Sequence, residues 1–103
     1  MKPHPHCTAA YTVAVINGRW KVPILWHLGR GTCRFSQLRN RLGPVTPKVL
    51  TRQLREMEQD GVLRRRVYAQ VPPRVEYSLT PRGKTLMPVV VAMCRWGQCR
   101  RGS

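Results

Sequence analysis

The chain has 103 residues, 42% of them hydrophobic, with 19 Lys and Arg against 4 Asp and Glu and a formal net charge of +15. That length and composition fit one compact domain and exclude a chain that is disordered throughout. The longest apolar run, Pro88 to Cys94, is far short of the roughly 20 residues of a membrane-crossing helix. So large a positive excess points to a polyanionic partner, with nucleic acid first, because Lys and Arg placed on phosphates release counterions.

In chain order, residues 1–8 carry Pro3, His4, Pro5 and His6 and read as an irregular arm. The arm lacks the apolar core of a secretion signal, so a cytoplasmic protein is expected. There the four cysteines, Cys7, Cys33, Cys94 and Cys99, would be mostly reduced thiols. Ala9 to Ile16 is a short apolar segment closed by Asn17-Gly18, a helix with a left-handed glycine stop. A second helix starts close to Lys21, which keeps Pro23 in its first turn, and stops at Gly29. Ser36 is read as the cap of a third helix that turns Leu38 and Leu42 to one side and ends at Gly43-Pro44. Thr46-Pro47 combines a capping hydroxyl with proline at the first helical position and opens a fourth helix, which runs to about Asp60. Val62–Ala69 and Val75–Leu79 read as two strands around Gln70-Val71-Pro72-Pro73-Arg74. Thr80-Pro81 repeats the cap-plus-proline signal and predicts a final helix to about Gln98, kinked at Pro88. Residues 9–99 thus form one domain, mainly α with a small β-hairpin wing, followed by a basic tail at 100–103. Two short helices joined by a tight turn form a helix-turn-helix, and with a following hairpin the fold is a winged helix-turn-helix.

The fourth helix carries the functional argument. At about 100° per residue, Leu50, Leu54 and Met57 fall on one narrow face, and Lys48, Arg52, Arg55 and Gln59 fall opposite, with Thr51 to one side. An ordinary surface helix is also charged on one side. This one, however, gathers Glu56, Glu58 and Asp60 toward its C-terminal end, the reverse of what its own dipole favours. The basic N-terminal part therefore suits a partner. The major groove admits one helix and offers acceptors to arginine and adenine edges to glutamine. Thr46, Lys48, Thr51, Arg52, Arg55 and Gln59 are the candidate contacts to double-stranded DNA. Arg74, just past the proline turn, is the candidate for the minor groove, where negative potential is focused.

Other chemistries are weaker. No Cys-x-x-Cys spacing is present, and His4, His6 and Cys7 supply only three ligands on an arm, so no metal and no cofactor are expected. Four acids, three of them at one helix end, leave no carboxylate pair for acid–base catalysis, and no phosphate loop or nucleophile–base set is present; no enzyme is expected. Cys33 and Cys94 read as small buried hydrophobes, and His27 as a packed or surface histidine. The rival function is a basic RNA-binding or ribosome-associated protein. Such modules stack bases on exposed aromatics, whereas Trp20, Trp26, Phe35 and Tyr77 lie in apolar patterns. In the last helix Leu86, Val89, Val90, Met93 and Trp96 form a broad apolar stripe, and Tyr11 and Val15 add to it at the other end. A patch that large predicts a homodimer interface.

From Asn17-Gly18-Arg19-Trp20-Lys21 onward the chain resembles the HxlR family of bacterial winged-helix regulators. Trp20 to Leu28 is similar to the family's second helix, Arg34-Phe35-Ser36-Gln37-Leu38 to its third, and Thr46 to Met57 to its recognition helix. Asp60-Gly61-Val62-Leu63 and Val71 to Thr80 are similar to its wing. The resemblance implies a homodimer, joined by the terminal helices, on an inverted-repeat operator. It also implies the same groove contacts on the fourth helix and a wing contact at Arg74. Cys7 falls where many members keep an N-terminal cysteine, although Thr8 stands where the family often has proline. On an accessible arm in a basic chain, Cys7 is the candidate redox switch, because nearby positive charge favours the reactive thiolate. Nothing in the sequence identifies a small-molecule effector.

Overall fold

The computed structural model describes residues 8–100. Along the chain run α1 (Ala9–Ile16), α2 (Lys21–Gly29), β1 (Cys33–Arg34), α3 (Phe35–Leu42) and α4 (Pro47–Gln59). They are followed by β2 (Leu63–Tyr68), β3 (Arg74–Leu79), α5 (Pro81–Lys84) and α6 (Met87–Arg100). Two starts follow the cap-plus-proline logic. The Thr46 hydroxyl accepts from the Val49 amide at 3.2 Å at the start of α4, and the Thr80 hydroxyl accepts from the Gly83 amide at 3.0 Å at the start of α5. Gly61 closes the chain after α4 at φ +77°, a conformation that disfavours any side chain.

The three strands form one antiparallel sheet in the order β1-β3-β2. The register pairs Leu63 with Leu79, Arg65 with Tyr77 and Val67 with Val75, while Cys33 flanks Tyr77 from the other side. Because side chains alternate, Leu63, Leu79, Tyr77 and Cys33 share the face that packs on the helices. Arg64, Arg66, Tyr68, Arg74, Glu76 and Ser78 share the outer face. The core is filled by Ile24, Leu25 and Leu28 of α2, Leu38 of α3, and Leu50, Leu54 and Met57 of α4. These pack against Val62, Leu63, Tyr77 and Leu79, and Val90 closes the core from α6. The helix-turn-helix and the wing therefore share a single core, which fixes α4 relative to the hairpin.

Four expectations need correction. The two-residue strand β1 was not anticipated, because so short a segment has no readable periodicity. Its pairing with β3 carries the extended chain to Arg34, so α3 is capped there and not at Ser36. The Gln37 side chain accepts from the Arg34 amide at 2.9 Å. The last helix is two helices. Pro88 has no N–H to continue a helix from α5, so the chain turns at Thr85-Leu86 and restarts at Met87, placing Pro88 in the first turn of α6 rather than at a kink. Cys94, expected to be buried, is exposed on α6, whereas Cys33 is buried as expected.

Candidate nucleic-acid interface

On α4 the inward stripe Leu50, Leu54 and Met57 is fully packed. Burial of that stripe orients the opposite side of the helix toward solvent. Lys48, Arg52, Arg55 and Gln59 are exposed there, Thr51 is half-buried, and together they line one shallow depression along the helix. Thr46 is exposed at the N-terminus, with its hydroxyl engaged as the cap. Among the described residues none of Lys48, Arg52 and Arg55 forms an ion pair; Glu56, which lines the same depression, pairs with Lys21 instead. This face thus carries three unpaired cations beside one carboxylate that is engaged with Lys21.

A second depression lies between α4 and the wing, lined by Thr51, Arg55, Glu58, Arg65 and Tyr77. Arg65 was not singled out from the sequence. It lies across from Tyr77 in the register, and both line this depression. Burial pushes the Tyr77 pKa up, and the Arg65 charge partly opposes that shift. The alternation in β2 separates Arg65 from Arg64 and Arg66, but only the strand register shows which set lies toward α4.

At the wing, Arg74 is the first residue of β3 and is half-buried, not a free loop side chain. Its guanidinium stacks 4.3 Å from the Tyr68 ring centroid, and its Nε lies 3.5 Å from Glu76 Oε2 without hydrogen-bond alignment. Arg66 approaches the same ring at 5.6 Å. The tip itself, with a cis Val71–Pro72 bond and a fully exposed Val71, projects beyond this cluster.

Of the residues expected at a dimer interface, Tyr11, Val89, Met93 and Trp96 are exposed. Leu86 is partly buried against the core, and Val15 and Val90 belong to the core of the single chain, so they are not available on its surface. Val13, 56% exposed on α1, joins the outward group. Trp20, Trp26 and Phe35 pack against the core and Tyr77 is buried in it, so none offers an open stacking platform for bases. Cys7, His4 and His6 lie outside the described residues. Among the described residues no cluster of His, Cys, Asp and Glu is placed to hold a metal, and no helix is long and apolar enough to cross a membrane.

A helix-turn-helix with a basic second helix, a hairpin wing and an outward apolar surface on the terminal helices defines a winged-helix transcription regulator. The HxlR-like helix-turn-helix family model matches residues 15–102, and the chain belongs to that family. It is 46% identical over 95 residues to the HTH-type transcriptional regulator YybR of Bacillus subtilis strain 168, covering 92% of this chain and 76% of that protein. It is 49% identical over 92 residues to the HTH-type transcriptional regulator YdeP of the same organism, covering 89% and 72%. Among solved structures, the redox regulator HypR superposes in its reduced form with a TM-score of 0.89 at 45% identity, covering 92% of this chain and 94% of that one. The oxidized form gives 0.86 at 46% identity, covering 90% and 96%.

Proposed function

We propose that this transcription regulator binds duplex DNA in the cytoplasm as a homodimer, with one α4 in the major groove of each half of an inverted-repeat operator. The observation that carries this reading is the exposed basic face of α4, on which Lys48, Arg52 and Arg55 form no ion pair among the described residues, backed by a buried leucine and methionine stripe on the same helix. Lys48, Arg52 and Arg55, with Thr46, Thr51 and Gln59, are the groove contacts. The wing brings Arg74 and Arg66 to the flanking backbone. The two helices of a dimer would stand about one DNA turn apart, roughly 34–36 Å. Fluorescence titration against duplex DNA and structured RNA at two salt concentrations tests the reading. Tight, strongly salt-dependent duplex binding is expected. Preference for the RNA would replace this reading with that of a basic RNA-binding protein.

A second reading concerns the signal. The likeness to a redox regulator solved in oxidized and reduced forms favours thiol control through Cys7. Oxidation would remove two electrons and two protons as Cys7 joins a second cysteine, with diamide or a quinone as the acceptor. Cys94, exposed on α6, is an available partner thiol. DNA binding of wild type and Cys7→Ser is compared before and after diamide. Equal responses of the two proteins would exclude Cys7 as the sensor.

A further inference from the structure

At the base of the wing, away from the recognition helix, the α2–β1 loop, the outer face of the sheet and α5 border an open cleft of about 500 Å3. That volume is in the range of small-molecule sites. Its rim carries three cations from three separate elements: Arg30 just after α2, Arg64 on β2 and Lys84 at the end of α5. No carboxylate lines it, and among the described residues none of the three cations forms an ion pair. Two hydroxyls, Thr32 and the half-buried Ser78, lie among them. The carbonyls of His27 and Leu28 at the end of α2 already accept from the Arg30 and Gly31 amides. The floor is apolar, made by Leu28, Leu79 and Met87.

The floor is also built with care. The Met87 side chain lies over Gly29, where a Cβ would stand 2.4 Å from Met87 Cε, so a larger residue at 29 would have to displace the methionine tip from the floor. The cleft lies over this contact. It shares no lining residue with either depression on α4 and none with the hairpin tip.

We propose that this cleft binds a small organic anion, a carboxylate or a phosphate monoester with an apolar body. The anionic head is held by Arg30, Arg64 and Lys84, and the body rests on Leu28, Leu79 and Met87. Three cations on one rim without an acid make the cleft electropositive, and charge-assisted hydrogen bonds to an anionic head are the strong kind. The apolar floor distinguishes the site from a bare phosphate contact.

The test is amide NMR titration of the full chain with phenyl phosphate, benzoate and inorganic phosphate. Saturable shifts are expected at Gly29, Gly31 and Ser78. One of the two aromatic probes is expected to bind more tightly than inorganic phosphate, and comparing them identifies the preferred head group. R64Q and K84Q, both at exposed side chains, should each weaken that binding about tenfold, the equivalent of one charge-assisted hydrogen bond. Their spectra elsewhere should be unchanged. Absence of saturable shifts with either aromatic probe overturns the proposal. So do shifts confined to α4 and the wing tip, which would mean anion capture by the DNA-facing surface, and so does wild-type affinity in R64Q and K84Q.

Discussion

Lys21, at the start of α2, reaches across to Glu56 on the recognition helix, with Nζ 3.8 Å from Oε1. The lysine side chain is 9% exposed and the glutamate side chain 40%. The pair ties α4 to the neighbouring helix and engages Glu56, the acid that lines the same depression as Arg52 and Arg55, with a partner other than those arginines. Burying a charge is tolerable only while it keeps a partner. Glu56→Ala is therefore expected to destabilise the fold by about 1–3 kcal/mol, since it strands Lys21. Lys21→Met, which removes the buried charge itself, should cost less. Urea unfolding of the two variants checks the order, and equal losses would show that the pair is not the relevant unit.

Gly83 is a point of obligatory close approach. A Cβ there would lie 1.9 Å from the Val62 carbonyl oxygen, which already accepts the Thr80 amide at 3.2 Å. The Thr80 hydroxyl also donates to the Gly61 carbonyl at 2.6 Å, so α5 is fastened onto the turn that follows α4. Gly83→Ala must shift backbone, not a flexible side chain. It is expected to cost about 1–3 kcal/mol, read as a lower denaturation midpoint.

These two contacts mark what sequence reading reaches. Helices α1, α2 and α4 are legible because glycine stops and apolar runs agree, most clearly from Thr46 to Gly61 where a cap joins them, whereas the start of α3 and the break between α5 and α6 are not. The outward placement of Lys48, Arg52, Arg55 and Gln59 followed from helical rotation alone. β1 was hidden because its existence depends on β3, far along the chain, and not on its own two residues. Val15 and Val90 were placed at an interface because an apolar stripe does not say which of its members its own core takes. Arg65 was passed over because strand alternation gives two faces without naming the one near α4, and the engagement of Arg74 with Tyr68 and Glu76 depends on that same register.

His27 gives the fold a pH dependence. Burial lowers its pKa from the ordinary value, and the nearby charges of Arg41 and Arg30 lower it further. The unfolded chain therefore takes up a proton at His27 at higher pH than the folded chain does. Wherever the unfolded state binds more protons, stability rises with pH. The contribution of His27 is thus fully present above its unfolded pKa of about 6.5 and is lost as pH falls through that value toward the lower folded one. His27→Gln should flatten this part of the stability profile, measured by denaturation across mildly acidic pH. An unchanged slope in the variant would remove His27 from the account.

The outward apolar residues of the terminal helices predict self-association. Met93 is 45% exposed and Trp96 68%, with Val89 beside them on α6 and Tyr11 on α1. The Tyr11 hydroxyl is hydrogen-bonded by Arg82, which holds the ring in place at this surface. Met93→Glu would bury a charge without a partner in a two-fold interface but sits in solvent on a monomer. Sedimentation at micromolar concentration is expected to show a dimer for the wild type and a monomer, still folded by circular dichroism, for Met93→Glu. A monomeric wild type would refute the interface.

The docking of α4 and of the wing should separate in their energetics. Arg52 and Arg55 stand exposed on a helix whose other face is locked in the core, so the backbone from which each side chain extends is fixed and its guanidinium is free to reach a base edge in the proposed docking. If it reads a guanine, replacement by alanine should cost about 1–3 kcal/mol at the operator and relax preference at one base position. Arg74 is different. Its guanidinium lies on Tyr68 and its Nε faces Glu76, so it has little freedom to seek a base edge. Arg74→Ala should weaken binding about equally on operator and unrelated duplex and reduce the salt slope, as the loss of a phosphate contact does. Tyr68→Ala should imitate it by removing the ring on which Arg74 rests, although Tyr68 contributes no charge. Thr46→Ala should lower the melting temperature by the equivalent of about 1 kcal/mol, because the Thr46 hydroxyl caps α4, and should weaken operator binding as well, because Thr46 is itself a proposed groove contact. The measurement is operator and random-duplex affinity for each variant over a salt series. Equal behaviour of Arg52→Ala and Arg74→Ala on both duplexes would refute the division between a reading helix and a positioning wing.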